Sequence, residues 1–298
     1  MKQLLILIAF GFLIACNTEE ETTSNHHNTV TDSLSAVSSK EPVPKNDWAK
    51  KNLKGAVKER TVWVYAAGAD GQLDKNKLKG GVEVSYNQQG NKATWTSYDE
   101  KKQLLDAWEY IYNPQGQLRE CKIVTGPVVR NLYYRYNKQN QLEHSAEHSN
   151  GMTIKATTYQ YDDKGNMILS HSYFEGSTSE TKNKQKFNAQ NQLVELQVYD
   201  EQDVVQLKKV ISYNKQGLES EQAIYSGSNI PSYKRQFAYD EQGNCIKDWA
   251  FLERGQLNEK DAFNYQYTYD KQGNWLTKIK LDKQNKVLEH STQAIVYF

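Results

Sequence analysis

The chain has 298 residues, of which 38% are hydrophobic and 24% are charged, and its 37 Lys and Arg nearly balance its 36 Asp and Glu. Because a protein that holds nucleic acid electrostatically carries a basic excess, the formal net charge of +1 argues against a nucleic-acid partner. The mean hydropathy is −0.83, yet the chain has 20 Tyr and 6 Trp. We therefore expect aromatic rings, each of which buries roughly 150–250 Å², to supply much of the core.

The N-terminus has the features of an export signal. Lys2 precedes the apolar residues 4–10, and the sequence LIAC follows at residues 13–16. This order is typical of a signal peptide, and the segment is too short to span a membrane as a mature helix. Residues 13–16 resemble the lipobox of bacterial lipoproteins. The resemblance implies that residues 1–15 are removed and that Cys16 anchors the chain in a membrane through fatty acyl chains such as palmitate.

The residues after Cys16 bear on location. In the sorting rule that the resemblance brings with it, an aspartate at the next position would hold the protein in the inner membrane, so Asn17 favours the outer membrane. Residues 19–21 are three glutamates. They resemble the acidic signal that exports some Gram-negative lipoproteins to the cell surface, and they fit a solvated acidic patch equally well. The sequence therefore predicts an outer membrane lipoprotein, with cell-surface exposure as an open alternative.

Residues 16–46 are rich in Thr, Ser, Asn, Glu and Lys. They cannot bury enough apolar surface to offset the entropy lost on ordering, so we predict a disordered tether. Residues 47–79 then form an N-terminal capping region, with a strand expected near residues 61–65.

Residues 80–298 contain an internal repeat. Its phrase is an aromatic residue, then Asn or Asp, two polar residues, and Gly or Asn, and it recurs at intervals of 24 to 30 residues. The eight copies begin at Tyr86, Tyr112, Tyr136, Tyr161, Phe187, Tyr213, Tyr239 and Tyr269. Asn or Asp suits the start of a type I turn, and Gly or Asn suits the left-handed residue that closes a bulged hairpin.

Weaker copies of the phrase begin 12 residues later at Tyr98, Tyr199 and Leu281. Each period thus holds two strands and two turns, which predicts an all-β antiparallel meander. We expect an open, twisted and curved sheet whose terminal units act as caps, with a closed barrel as the architectural alternative. Residues 294–298 are expected to supply the last strand.

The phrase Tyr-Asp-x-x-Gly-Asn at this period resembles the YD repeat of RHS-type proteins. In particular, the chain is similar to small repeat-bearing lipoproteins of Gram-negative envelopes. The resemblance implies an envelope protein built from β-hairpin repeats, some of which are described as sugar-binding.

Candidate chemistry is sparse in the repeat region. His144 and His148 match an H-x-x-E-H zinc pattern, but on a strand residues four apart lie about 13 Å from each other, too far for one ion. We therefore predict no catalytic residue, no metal site and no cofactor. The alternative is a carbohydrate-active or other hydrolase with an unrecognised site.

Four tryptophans, Trp95, Trp108, Trp249 and Trp275, are the candidate ligand-stacking residues. They fit a buried core or an exposed platform for sugars, and the core interpretation is favoured because the sheet has few aliphatic residues. The sequence therefore predicts a non-enzymatic, lipid-anchored envelope repeat protein that presents a β-sheet surface to a protein or glycan.

Overall fold

The computed structural model describes residues 46–177 and 179–298. The predictions for the signal peptide, for lipidation at Cys16, for Asn17 and for the tether up to residue 45 lie outside the described residues. Within the described ranges, no helix combines the length and the apolar character needed to cross a membrane.

The described residues form one short helix, α1 (Asp47–Lys50), one 3₁₀ turn at Glu253–Gly255, and eighteen strands. The strands are β1 Val57–Ala67, β2 Leu73–Tyr86, β3 Lys92–Tyr98, β4 Leu104–Tyr112, β5 Leu118–Thr125, β6 Val128–Tyr136, β7 Leu142–Ser149, β8 Met152–Tyr161, β9 Met167–Phe174, β10 Glu180–Phe187, β11 Leu193–Tyr199, β12 Val205–Tyr213, β13 Glu219–Tyr225, β14 Tyr233–Tyr239, β15 Cys245–Leu252, β16 Leu257–Tyr269, β17 Trp275–Asp282 and β18 Val287–Tyr297.

The sheet closes on itself. Every strand pairs antiparallel with its neighbours in sequence, and β1 pairs with β18 as well as with β2, in a register that runs from Val57–Tyr297 to Ala66–Glu289. The all-β meander is confirmed, and of the two architectures the structure has the closed barrel rather than the open sheet. Closure satisfies the backbone groups of two strands that would otherwise be exposed edges. The terminal strands therefore pair with each other instead of capping the sheet.

The eight repeat phrases form turns at one end of the barrel, which we call the repeat-turn rim. In the turn after β4, the Asn113 side chain accepts hydrogen bonds from the backbone N–H of Gln115 and Gln117, at 3.0 and 2.9 Å. Gly116 has φ +78°, and Asn140, which replaces glycine in the next copy, has φ 62°. The turn chemistry expected from the sequence is therefore present.

The N-terminal strap, residues 46–56, lies across part of the repeat-turn rim. The backbone N–H of Asp47 donates to the Gly90 carbonyl at 2.9 Å, and the Asn52 amide donates to the Gln242 carbonyl at 2.8 Å. The backbone N–H of Lys54 donates to the Asn274 side chain at 2.8 Å. The strap thus joins the turns after β2, β14 and β16 and leaves the rest of this rim uncovered.

Burial alternates along the strands, and the more buried face is the inside of the barrel. On β1 and β2, the inward side chains Val62, Val64, Val82 and Val84 are at most 5% exposed. The outward face is rich in charge, as on β10, where Lys184 and Lys186 are exposed. Inward side chains therefore supply the core, and they also form the wall of any internal site.

Candidate binding wall inside the barrel

An eighteen-stranded barrel is wider than its own side chains can fill, since about eight strands already enclose a packed interior. Ten of the 21 buried hydrophobic residues in the described chain form three separate clusters along the wall. One lies on β14–β16, one joins the strap to β1 and β2, and one lies on β4 and β5. These clusters lie in three arcs of the inward wall.

Aromatic side chains line the wall toward the repeat-turn rim. Most of the repeat tyrosines are half-buried, and burial raises the pKa of Tyr136 and of Tyr161 to about 12. These hydroxyls therefore stay protonated at neutral pH and can act as hydrogen-bond donors. Their rings add a large apolar surface to a wall that has few aliphatic side chains.

Tyrosines near the repeat turns hold neighbouring hairpins together; five of them begin a repeat phrase, and Tyr267 lies two residues before one. At the other end of the barrel, the opposite rim, turns join β5 to β6 and the equivalent strand pairs. The pairing of two strands joined there stops two residues before the repeat-turn rim: β5 begins at Leu118, for example, but its pairing with β6 begins at Glu120. We call the unpaired end of each such strand pair a seam. At the β5–β6 seam, the Tyr136 hydroxyl donates to the Leu118 carbonyl at 3.0 Å.

The same bond recurs around the barrel, always to the first residue of the strand that follows a repeat turn. It joins Tyr112 to Lys92, Tyr136 to Leu118, Tyr161 to Leu142, Tyr213 to Leu193, Tyr239 to Glu219 and Tyr267 to Cys245, over 2.7–3.0 Å. Each such bond is here called a tyrosine clamp. A seam lacks the backbone hydrogen bonds of a paired sheet. The clamp therefore satisfies one backbone carbonyl there with a side-chain donor.

Charged side chains form a second layer of the wall. The guanidinium of Arg235 binds the carboxylate of Asp248 through two hydrogen bonds, one of them Nε to Oδ1 at 2.8 Å, and the Asp248 side chain is only 1% exposed. Close by, the Gln222 amide donates to Glu219 at 2.6 Å. Burial lowers the pKa of Lys209 to about 8. This arc therefore combines buried ionic groups with a buried amide.

Other arcs of the wall carry ion pairs too. Arg130 and Glu147 lie 2.8 Å apart on β6 and β7. Glu289 on β18 contacts the ammonium groups of Lys79 and Lys280. Burial acts to raise the pKa of Glu289, but Lys280, Lys79 and Lys278 outweigh it and hold that pKa below its ordinary value. The wall is thus polar at several points around its circumference.

The four candidate stacking residues do not form one platform. Trp95 and Trp108 are neighbours on β3 and β4, with ring centroids 6.1 Å apart in an edge-on arrangement, and Trp108 is 7% exposed within the core. Trp275 lies elsewhere on the wall, where it packs against Tyr267 with a centroid distance of 6.5 Å. Trp249 lies on the outward face, with the Lys247 ammonium 3.7 Å from its ring centre.

A β-bulge explains why Trp249 points outward although Cys245, on the same strand, is buried. The pairing of β14 with β15 shifts register between Ala238 and Tyr239, opposite the start of β15. Such a shift swaps the faces of the residues that follow. Asp248 then points inward and Trp249 outward, an outcome that side-chain alternation counted from the turn does not predict.

His144 and His148, which match the H-x-x-E-H pattern, lie on strand β7, as the sequence predicts. In the parts of the chain that the structure describes, no group of three or more His, Cys, Asp or Glu side chains could hold a metal ion. Sequence reasoning did not identify the Arg235–Asp248 pair. Its only signal is a charged residue at an inward position on each of two adjacent strands.

Comparisons with known proteins give structural likenesses only. No family profile matches the chain, and no curated protein matches it. A porin-like protein from Bacteroides uniformis has 8% identity and a TM-score of 0.40, over 82% of this chain and 98% of that one. A porin-like protein from Bacteroides vulgatus has 8% identity and a TM-score of 0.37, over 82% and 99%.

A third solved structure, of TcdB2-TccC3-TEV, has 12% identity and a TM-score of 0.35. The match covers 76% of this chain but 15% of the other, so the chain spans a small part of that protein. At these scores the likenesses carry no argument about function.

Proposed function

We propose that the chain is a non-enzymatic, lipid-anchored protein of the Gram-negative outer membrane, whose barrel binds a glycan on its inward wall. The anchor follows from the lipobox-like residues 13–16 and from Asn17. The binding role follows from the barrel, whose wall places half-buried aromatic rings beside ionic and amide groups. The interior supplies the concave surface that ligand sites require.

The observation that carries the proposal is the pairing of rings with polar groups on one surface. A sugar presents an apolar C–H face and a border of hydroxyls, so it needs a ring to pack on and hydrogen-bonding groups beside it. Trp275 provides such a ring, with the Lys278 ammonium 5.7 Å from its centre. On the neighbouring inward positions, the partly exposed side chains of Lys280 and Glu289 supply a donor and an acceptor.

The test is a glycan array probed with the intact chain, purified in a detergent that has no sugar headgroup. We expect one glycan class to be retained, and Trp275→Ala to weaken that binding about 2- to 10-fold, which is the effect of losing one aromatic contact. Trp249→Ala is the matched control, because it removes the same side chain from the outward face, and it should leave affinity unchanged. Thermal unfolding of both variants checks that each barrel is intact.

Two outcomes contradict the proposal. One is that the wild-type chain retains no glycan. The other is that the two variants lose affinity equally, because a ligand held inside the barrel cannot depend on an outward ring.

A further inference from the structure

The large hydrophobic side chains that remain exposed collect at the opposite rim. Within the described residues, 12 of the 17 such side chains lie within three residues of a turn at that rim, whereas four lie beside the repeat-turn rim. The twelve, which we call the apolar collar, come from seven of the nine turns there: Leu104, Leu105, Val128, Val129, Met152, Ile154, Tyr173, Phe174, Val204, Val205, Ile230 and Leu252. The two ends of the barrel therefore differ, because one is polar and carries the strap while the other is apolar.

The apolar collar is too exposed to belong to the core. Its most exposed members are Met152 at 65%, Leu104 at 55% and Val204 at 54%. Single exposed apolar residues are ordinary, but a concentration of them on one surface marks a place where a protein meets a partner or a membrane. The collar is thus an interaction surface at the other end of the barrel from Trp275, which begins β17 at the repeat-turn rim.

The charges between the collar residues limit what can cover this end of the barrel. The seven loops that carry the collar hold seven acidic and three basic side chains. A second copy docked rim to rim would set these like charges against each other, and an anionic lipid surface would meet the same repulsion. A phospholipid headgroup that ends in an ammonium group complements the carboxylates, and the acyl chains below it accept apolar side chains.

The length of chain before the barrel allows contact between this end and a membrane. The strap begins at residue 46 on the repeat-turn rim, and the 29 residues 17–45 separate it from Cys16. A chain of that length spans at most roughly 100 Å, whereas the nine residues of β12, which runs from one rim to the other, span about 30 Å. An acyl chain on Cys16 can therefore enter the same membrane that the opposite rim touches.

We propose, on the basis of the lipid anchor proposed above, that the apolar collar inserts into the surface of a bilayer of zwitterionic phospholipid. The anchor keeps the barrel close to the bilayer, and the collar is a second contact that sets its orientation. The opposite rim then faces the membrane, and the strap and the repeat-turn rim face away from it. Binding through apolar side chains scales with the apolar area that leaves water, so several turns act together.

The test reads the surroundings of each rim in the intact chain, anchored in vesicles of phosphatidylcholine and phosphatidylethanolamine. Val204→Cys carries a polarity-sensitive fluorophore in the collar, and Gln216→Cys, in the turn at the other end of β12, is the matched control. The native Cys121 and Cys245 are at most 2% exposed, so the label enters the introduced cysteine. We expect the label at residue 204 to emit at shorter wavelength, and to be several-fold less quenched by acrylamide, than the label at residue 216.

Charged substitutions test whether the collar causes this difference. Leu104→Asp combined with Met152→Asp should return the label at residue 204 to water-like emission, because charged side chains do not enter the bilayer. Ile246→Asp changes an exposed apolar residue beside the repeat-turn rim and should leave the signal unchanged. Thermal unfolding of each variant checks that the barrel is intact.

The outcomes separate the collar from the anchor. Water-like emission at residue 204, or equal signals at both sites, in a chain that stays on the vesicles would overturn the collar contact and leave the anchor intact. Mass mapping of Cys16 tests the anchor separately, so protection at residue 204 without an acyl group would uphold the collar alone. A chain that leaves the vesicles would overturn both. Protection that rises with the density of protein on the vesicles would assign the collar to a second copy and overturn the membrane contact.

Discussion

Buried ionic groups on the inward wall make the stability of the protein depend on pH. Lys209 is 6% exposed, and burial lowers its pKa from 10.5 to about 8, against the opposing effect of Glu219. Between these two pKa values the unfolded chain holds a proton that the folded chain has released. The free energy of unfolding therefore rises with pH across this window, by up to about 1.4 kcal/mol per pH unit.

Lys209→Met tests this linkage. The substitution keeps a long side chain on the wall and removes the titrating group, so the rise in stability between pH 8 and 9.5 should become flatter. Urea unfolding of wild type and variant at several pH values in this range measures the difference. The limit of 9.5 keeps the measurement below the ordinary tyrosine pKa of about 10. Equal slopes in the two proteins would show that Lys209 does not carry the effect.

At the scale of elements, the sequence predicts the hairpins well because each turn carries its own signal. Asn113 and Gly116 take the roles that their types indicate, and Asn140 takes the left-handed position in place of glycine. The aromatic spacing correctly indicates one shared face for residues such as Tyr134 and Tyr136. It does not reveal that a hydroxyl bonds across a seam, because the acceptor is a backbone carbonyl 18 residues away in the case of Tyr136.

The tyrosine clamps predict a measurable contribution of each seam to stability. Tyr136→Phe removes one hydroxyl and leaves the Leu118 carbonyl without its side-chain donor, so we expect a loss of about 0.5–1.5 kcal/mol in the free energy of unfolding. Tyr133→Phe, on the same strand but facing outward and 40% exposed, is the control and should have little effect. Chemical denaturation of the two variants gives both values. An equal loss in both would assign the cost to the strand rather than to the clamp.

At the scale of the whole molecule, local sequence patterns do not predict whether the barrel closes. The repeat phrase fixes which strands are neighbours along the chain, but it does not determine whether the first strand meets the last. β1 carries no copy of the phrase, and its pairing with β18 joins residues more than 220 positions apart. Closure also decides function, because it turns one face of the sheet into an inner wall and gives the other to solvent.

The pairing of β1 with β18 is therefore the most direct test of the account. Thr61 lies directly opposite Ala294. Their Cα atoms are thus about 4.5–5.5 Å apart, within reach of a disulfide. In the chain carrying Thr61→Cys and Ala294→Cys, we expect mild oxidation of the folded protein to form this bridge, detected by peptide mass mapping.

Thr61→Cys with Thr277→Cys is the control pair. Residue 277 lies two strands from β1, on β17, and two residues out of register with residue 61, at about 12 Å, which is too far for a bridge. In a closed barrel we expect an efficient bridge between residues 61 and 294 and none between 61 and 277. In an open sheet of eighteen strands the first and last strands would lie about 80 Å apart. Failure of residues 61 and 294 to cross-link in the folded chain would contradict the closed barrel and the inner wall with it.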